Sequence, residues 1–254
     1  MALAACAGGE YAATNKAYKK QAKQYSAVLR KYPLADSFEV AKNFVGTTNF
    51  GMRKPNFVII HHTAQNSTAQ TLRTFTLTRT AVSAHYVIGR DGEVYHMLND
   101  YLRAQHAGLG KWGSVTDMNS CSIGIELDNN GFESFSEAQI AALLRVLTQL
   151  KKAFAIPTAN FIGHADWAPT RKNDPNWRFP WKTLAEKGFG LWYDDTTGLA
   201  MPTFDHLQAL RIVGYDIKDS SAAIKAFKQH WLQDTTKGMT PAAQKVLWQL
   251  SKKY

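Results

Sequence analysis

Residues 136–154, SEAQIAALLRVLTQLKKAF, constrain the fold of this chain more than any other stretch. Ser136 followed three residues later by Gln139 has the form of a capping box, in which each side chain satisfies a main-chain N–H at a helix start. Ile140, Leu143, Leu144, Leu147, Leu150 and Phe154 then recur at helical spacing and trace one face. A helix that is apolar on one side must bury that side against another layer. The rest of the chain offers short apolar runs as that layer.

These runs read as strands: FVIIHH (57–62), SAHYVIG (83–89), EVYHML (93–98) and SIGIELDN (122–129). Asp91-Gly92 between the second and third is a hairpin turn signal. ANFIGHADW (159–167) reads as a short strand entering a long polar loop through Pro180, and WKTLAEKG as a short helix. Residues 33–56 read mostly as loop. The expectation is an α/β fold with a mixed central β-sheet covered by helices. Residues 190–202 read as a linker. Beyond it come helical patterns at 204–213, stopped by Gly214, at 220–232, and after Thr240-Pro241, an N-cap followed by a first-turn proline. They predict a small C-terminal three-helix domain, marginal alone and expected to dock on the larger one. The expected divisions are an N-terminal tail (1–32), a main domain (33–189), the linker and a helical domain (203–254).

The net charge of +10 favours polyanionic partners, whether nucleic acid, anionic lipid or an acidic wall polymer, without choosing among them. No nucleic-acid motif is present. No apolar run is long enough for a membrane span. Lys16, Lys19, Lys20, Lys23, Arg30 and Lys31 make residues 16–31 basic, with Tyr18, Tyr25 and Tyr32 near one helical face. This segment suits an anionic membrane surface, or a solvated helix that packs its tyrosines on the main domain. The two cysteines, Cys6 and Cys121, make no disulfide framework.

Eight histidines are spread along the chain. Strand side chains alternate between faces, so only one of the adjacent pair His61 and His62 should reach a given site. Alternation does not say which. His164 sits near another strand end, and Asp174 follows ten residues later in a loop. Two imidazoles and a carboxylate with one open position would form a catalytic zinc set, whereas each histidine taken singly reads as a structural one. In SIGIEL, Ile123, Ile125 and Leu127 should face one side of the sheet, with Ser122, Gly124 and Glu126 on the other. Small residues beside Glu126 leave open space over that face. A buried carboxylate without a partner is costly, so Glu126 should meet solvent, a cation or a metal-activated water.

The motifs FVIIHHTA, SAHYVIGRDGEVY, QHAG, SIGIEL and GHADWAPTRKNDP, in this order, resemble the zinc-dependent N-acetylmuramoyl-L-alanine amidases of the amidase-2 type. These are related to phage amidase lysozymes and peptidoglycan recognition proteins. The resemblance covers about residues 50–185. It implies that His61, His164 and Asp174 bind Zn2+, with His62 on the opposite face. It implies Glu126 as the catalytic acid/base and Lys172 as the group that steadies the tetrahedral intermediate. His106 and Trp112 would fall in a loop bordering the substrate groove. His85 would pack or support a ligand from behind rather than bind the metal itself. The reaction implied is hydrolysis of the amide joining N-acetylmuramic acid to L-alanine in peptidoglycan or muropeptides. A non-catalytic peptidoglycan-recognition protein of the same fold is the alternative.

The C-terminal pattern resembles a three-helix peptidoglycan-binding domain, although KGMT stands where that family has Asp-Gly. It would act as a wall-targeting module or as a buttress for the main domain. LAAC (3–6) resembles a bacterial lipobox, with Cys6 as the lipid-attachment site, although only five residues precede Cys6. Together these features resemble the two-domain outer-membrane lipoprotein subgroup. They imply a periplasmic location, anchored to the outer membrane of a Gram-negative envelope.

Overall fold

The computed structural model describes residues 9–29, 47, 49, 51–197, 199 and 203–254. Cys6 and most of residues 30–50 lie outside the described residues, and with them the lipobox expectation. Two compact units are present, Met1–Gly51 and Met52–Tyr254. The first holds helix α1 (Ala12–Leu29), none of whose residues is buried. Its tyrosines therefore enter no core. No helix among the described residues is long and apolar enough to cross a membrane.

The second unit is built on a five-stranded sheet. Its strands are β1 (Phe57–His62), β2 (Tyr86–Ile88), β3 (Val94–His96), β4 (Ser122–Leu127) and β5 (Phe161–Gly163). The order is β3-β2-β4-β1-β5, with β3 antiparallel to β2 and the other pairs parallel. β1 has the expected bounds, whereas β2, β3 and β4 are shorter than their apolar runs. Gly92 in the β2–β3 turn has φ 83°, a left-handed conformation that glycine adopts without steric cost.

The helices are α2 (Thr68–Thr76), α3 (Glu137–Phe154), α4 (His164–Trp167), α5 (Trp181–Glu186), α6 (His206–Val213), α7 (Ser220–Leu232) and α8 (Pro241–Leu250). The apolar face of α3 packs on one side of the sheet, against Val58, Ile60, Ile123, Ile125 and Leu127. Each such side chain, fully buried, is worth about 1.5–3 kcal/mol. The capping box is only half made. Ser136 accepts from the Gln139 N–H, but the Gln139 side chain turns inward and donates to the carbonyls of Ile88 (3.0 Å) and Asp128 (3.1 Å). A buried amide gains more by satisfying two strand-end carbonyls than by capping an exposed N–H.

The opposite side of the sheet, through Phe57, Ile59 and Ile162, shares a core with Leu210, Val213, Phe227, Trp231, Leu247 and Leu250 of α6, α7 and α8. GHADW, expected to run on as strand and loop, instead turns helical at His164. α2 was not anticipated. Its N-cap Ser67 accepts from the Gln70 N–H, but only Thr71 and Leu72 of the helix are buried, so an apolar stripe is missing.

Candidate metal and active site

His61 and Glu126 are Cα partners in the β1–β4 ladder, and Ile60 pairs with Gly163 of β5, immediately before His164. Three groups thus meet at the carboxyl ends of three adjacent parallel strands, where open α/β sheets place their ligands. Asp174 arrives from the loop after α4, and its carbonyl accepts from the Ala165 N–H at 2.8 Å. The Nδ1 atoms of His61 and His164 lie 2.9 Å apart. Each lies 3.0 Å from Asp174 Oδ2. All three residues are buried.

The outer nitrogens decide what these atoms can be. His164 Nε2 faces the carbonyl of Ala107 at 2.9 Å, and a carbonyl only accepts. A proton therefore sits on Nε2, and in the neutral ring Nδ1 carries a lone pair. Ser122 donates its single hydroxyl proton to the Met118 carbonyl at 2.6 Å, so its oxygen can only accept from His106 Nε2 at 3.1 Å. His106 Nδ1 then carries a lone pair and accepts from His61 Nε2 at 3.0 Å. Burial lowers the basicity of His61, to about 4, and of His106, so both rings are neutral. His61 Nδ1 is thus also a lone pair.

With the His61 and His164 rings both neutral, two imidazole lone pairs and a carboxylate oxygen converge within about 3 Å of one another. Such a triangle of acceptors suits a cation, and N,N,O donors suit zinc. The residues present therefore fit the metal implied by the sequence resemblance.

Glu126 Oε2 is buried with no hydrogen-bond partner. Burial, reinforced by the charge of Asp174, pushes its carboxyl up to about 8, against the pull of Lys172. Lys172 is exposed, and its charge reaches both Glu126 and His61.

The space expected over Gly124 is not open. A Cβ there would overlap the His106 ring, so glycine is required for this close approach. His106 is engaged by His61 and Ser122. Trp112 lies apart, 6% exposed, with its ring edge-on to Tyr215 at 4.9 Å. His62, on the opposite face from His61, accepts from the Asn176 N–H at 3.0 Å. His85 accepts from the Gly124 N–H at 3.0 Å and braces β4. The sequence reading missed Ser122, the Ala107 carbonyl and Asn119, whose Oδ1 accepts from the N–H groups of His106 and Ala107. A glycine inside an apolar strand was the one available signal of close packing there.

A profile of the Amidase_2 family, described as N-acetylmuramoyl-L-alanine amidase, matches residues 51–177. The chain is 32% identical to N-acetylmuramoyl-L-alanine amidase AmiD of Escherichia coli over 68% of its length and 74% of that protein. It is 38% identical to 1,6-anhydro-N-acetylmuramyl-L-alanine amidase AmpD of E. coli, over 39% of its own length and 55% of that protein. The structure of E. coli AmiD in complex with the substrate anhydro-N-acetylmuramic acid-L-Ala-D-gamma-Glu-L-Lys is similar at a TM-score of 0.71 and 27% identity. The match covers 87% of this chain and 97% of that one. AmpDh3 of Pseudomonas aeruginosa is similar at 0.73 and 28% identity, over 85% and 99%. On these grounds the chain belongs to the N-acetylmuramoyl-L-alanine amidase family.

Proposed function

We propose that this protein is a zinc amidase that hydrolyses the bond between N-acetylmuramic acid and L-alanine, and that it accepts 1,6-anhydromuramyl peptides. The observation that carries this reading is the triangle of His61 Nδ1, His164 Nδ1 and Asp174 Oδ2 beside an unpartnered Glu126. The anhydromuramyl substrates of AmiD and AmpDh3 support the choice of substrate.

His61, His164 and Asp174 would hold the zinc, which would supply Lewis acidity toward the amide carbonyl and a water. Glu126 takes the proton of the attacking water and returns it to the leaving amine of L-alanine. Lys172 offsets the negative charge that develops on the carbonyl oxygen, a contribution of roughly 2.7–4 kcal/mol for a comparable donor. His106 and Ser122 hold the His61 ring with Nδ1 turned inward. Trp112 serves packing against Tyr215. The chemistry belongs to residues 33–189, and residues 203–254 form the C-terminal helical part. Lipid attachment at Cys6 would hold the enzyme at the outer membrane facing the periplasm; LAAC supports this.

Purified protein incubated with anhydromuramyl-tripeptide should release a peptide beginning in L-alanine, detected by mass spectrometry. Chelator should stop the release and zinc should restore it. A zinc-supplemented preparation that releases no peptide overturns the proposal.

A further inference from the structure

We propose that Gln229 of α7 is a positioning residue for the metal centre, so that the C-terminal helices are part of that centre's support. This rests on the reading of His61, His164 and Asp174 as metal ligands.

A glutamine in the middle of a helix ordinarily points to water. Gln229 is 6% exposed, and a buried amide is costly unless its hydrogens are used. Both are used on one target. Nε2 donates to the carbonyl of Asn173 at 2.8 Å and to that of Pro175 at 2.8 Å. These carbonyls flank Asp174 on either side, so the amide staples the main chain around the third ligand. The far side of the same loop is held by the sheet. The Asn176 N–H donates to His62 Nδ1, and Asn176 Nδ2 donates to Asn129 Oδ1 at 3.1 Å.

The next residue on α7 grips the second ligand's segment. His230 Nδ1 lies 2.7 Å from Asp166 Oδ2, which also accepts from the Gly163 N–H at 2.7 Å. Tyr215 donates to Asp166 Oδ1 at 2.6 Å. Gly163 and Asp166 bracket His164. The His230 ring is stacked on Trp181 at 3.9 Å and on Trp231 at 4.3 Å, each within 13° of parallel. Consecutive residues of one helix thus hold the backbone around two of the three ligands. A helix whose sole task was wall targeting would have no need of such contacts. Partners of this kind, which orient ligands without touching the metal, typically change affinity by about 10–100-fold when removed.

The test is the zinc dissociation constant of the full chain, measured by competition with a chromophoric chelator. Gln229→Met keeps length and burial but removes both donors. It should bind zinc about 10–100-fold more weakly. Gln233→Ala at the C-cap of the same helix, whose amide faces the Phe179 carbonyl, should bind as wild type does. Wild-type affinity in a folded Gln229→Met variant overturns the proposal. If that variant does not fold, hydrogen exchange in the wild type decides. Coupling is reciprocal, so zinc must slow amide exchange over residues 226–232. Unchanged exchange there, with slowing at 164–174, overturns it. A wild-type chain that binds no zinc overturns the metal reading itself, a separate result from normal wild-type binding that Gln229→Met leaves unaltered.

Discussion

His61 and Glu126 stand side by side, paired Cα to Cα on adjacent parallel strands with their side chains on the same face. One supplies a lone pair to the acceptor triangle, and the other leaves a carboxylate oxygen unpartnered beside it. The register of a single strand pair therefore sets how far Glu126 stands from the acceptor triangle. A slip of one residue would put Glu126 on the opposite face.

The adjacent histidines should differ in kind. His61→Ala removes a donor atom, and zinc binding should be abolished in equilibrium dialysis. His62→Ala removes only the acceptor of the Asn176 N–H, so binding should persist with reduced affinity. Equal loss in the two variants would contradict the assignment of faces.

Glu126→Gln keeps the shape of the site and removes the proton acceptor. Turnover of anhydromuramyl-tripeptide should fall about 10²–10⁴-fold, as for loss of a general acid–base group. Zinc content should stay at the wild-type level. A variant that lost both together would make Glu126 a support of the metal site rather than a partner in proton transfer.

The relay from Met118 through Ser122 and His106 should matter to metal affinity. His106→Phe leaves the buried volume filled but gives His61 Nε2 no acceptor. Zinc affinity should drop about 10–100-fold. Gly124→Ala should do the same, because the added Cβ overlaps the His106 ring. Calorimetric zinc titration reads both effects, and unchanged affinity in both variants would return His106 to the substrate groove.

The metal-free protein should be most stable near pH 6.5. Burial holds His61 and His85 near a pKa of 4, and lowers His62 and His106 as well. Unfolded imidazoles bind protons near 6.5 that these folded rings refuse, so stability falls as pH drops from about 6.5 toward 4. Glu126 acts in the other direction. Its folded carboxyl, pushed up to about 8, keeps a proton that the unfolded group loses near 4.5, so stability falls as pH rises toward 8. His96, raised by its hydrogen bond to Asp100 but half exposed, adds little to that alkaline side. Urea unfolding from pH 4.5 to 8.5 should show the maximum, and Glu126→Gln should flatten its alkaline side. A flat acid side would contradict the account of the buried histidines.

Much of this was legible in the residues themselves. The apolar run 57–62 and the stripe from Ile140 to Phe154 specified β1 and α3, because periodic burial is a local property of sequence. Alternation placed Glu126 on the face away from Ile125 and established that His61 and His62 diverge. Motif order supplied the candidate ligands His61, His164 and Asp174. Three things depended on tertiary contact. The ring of His106 fills the gap over Gly124 and meets His61 Nε2. Trp112 packs against Tyr215, a residue more than a hundred positions away. Gln229 reaches the carbonyls on either side of Asp174. None of these leaves a local pattern, because a hydrogen bond between distant segments depends on where the chain brings its ends, not on the spacing within either one. Sequence by itself determined which side chains could bind a metal and move a proton; the fold decided which nitrogen of each histidine is free to do so.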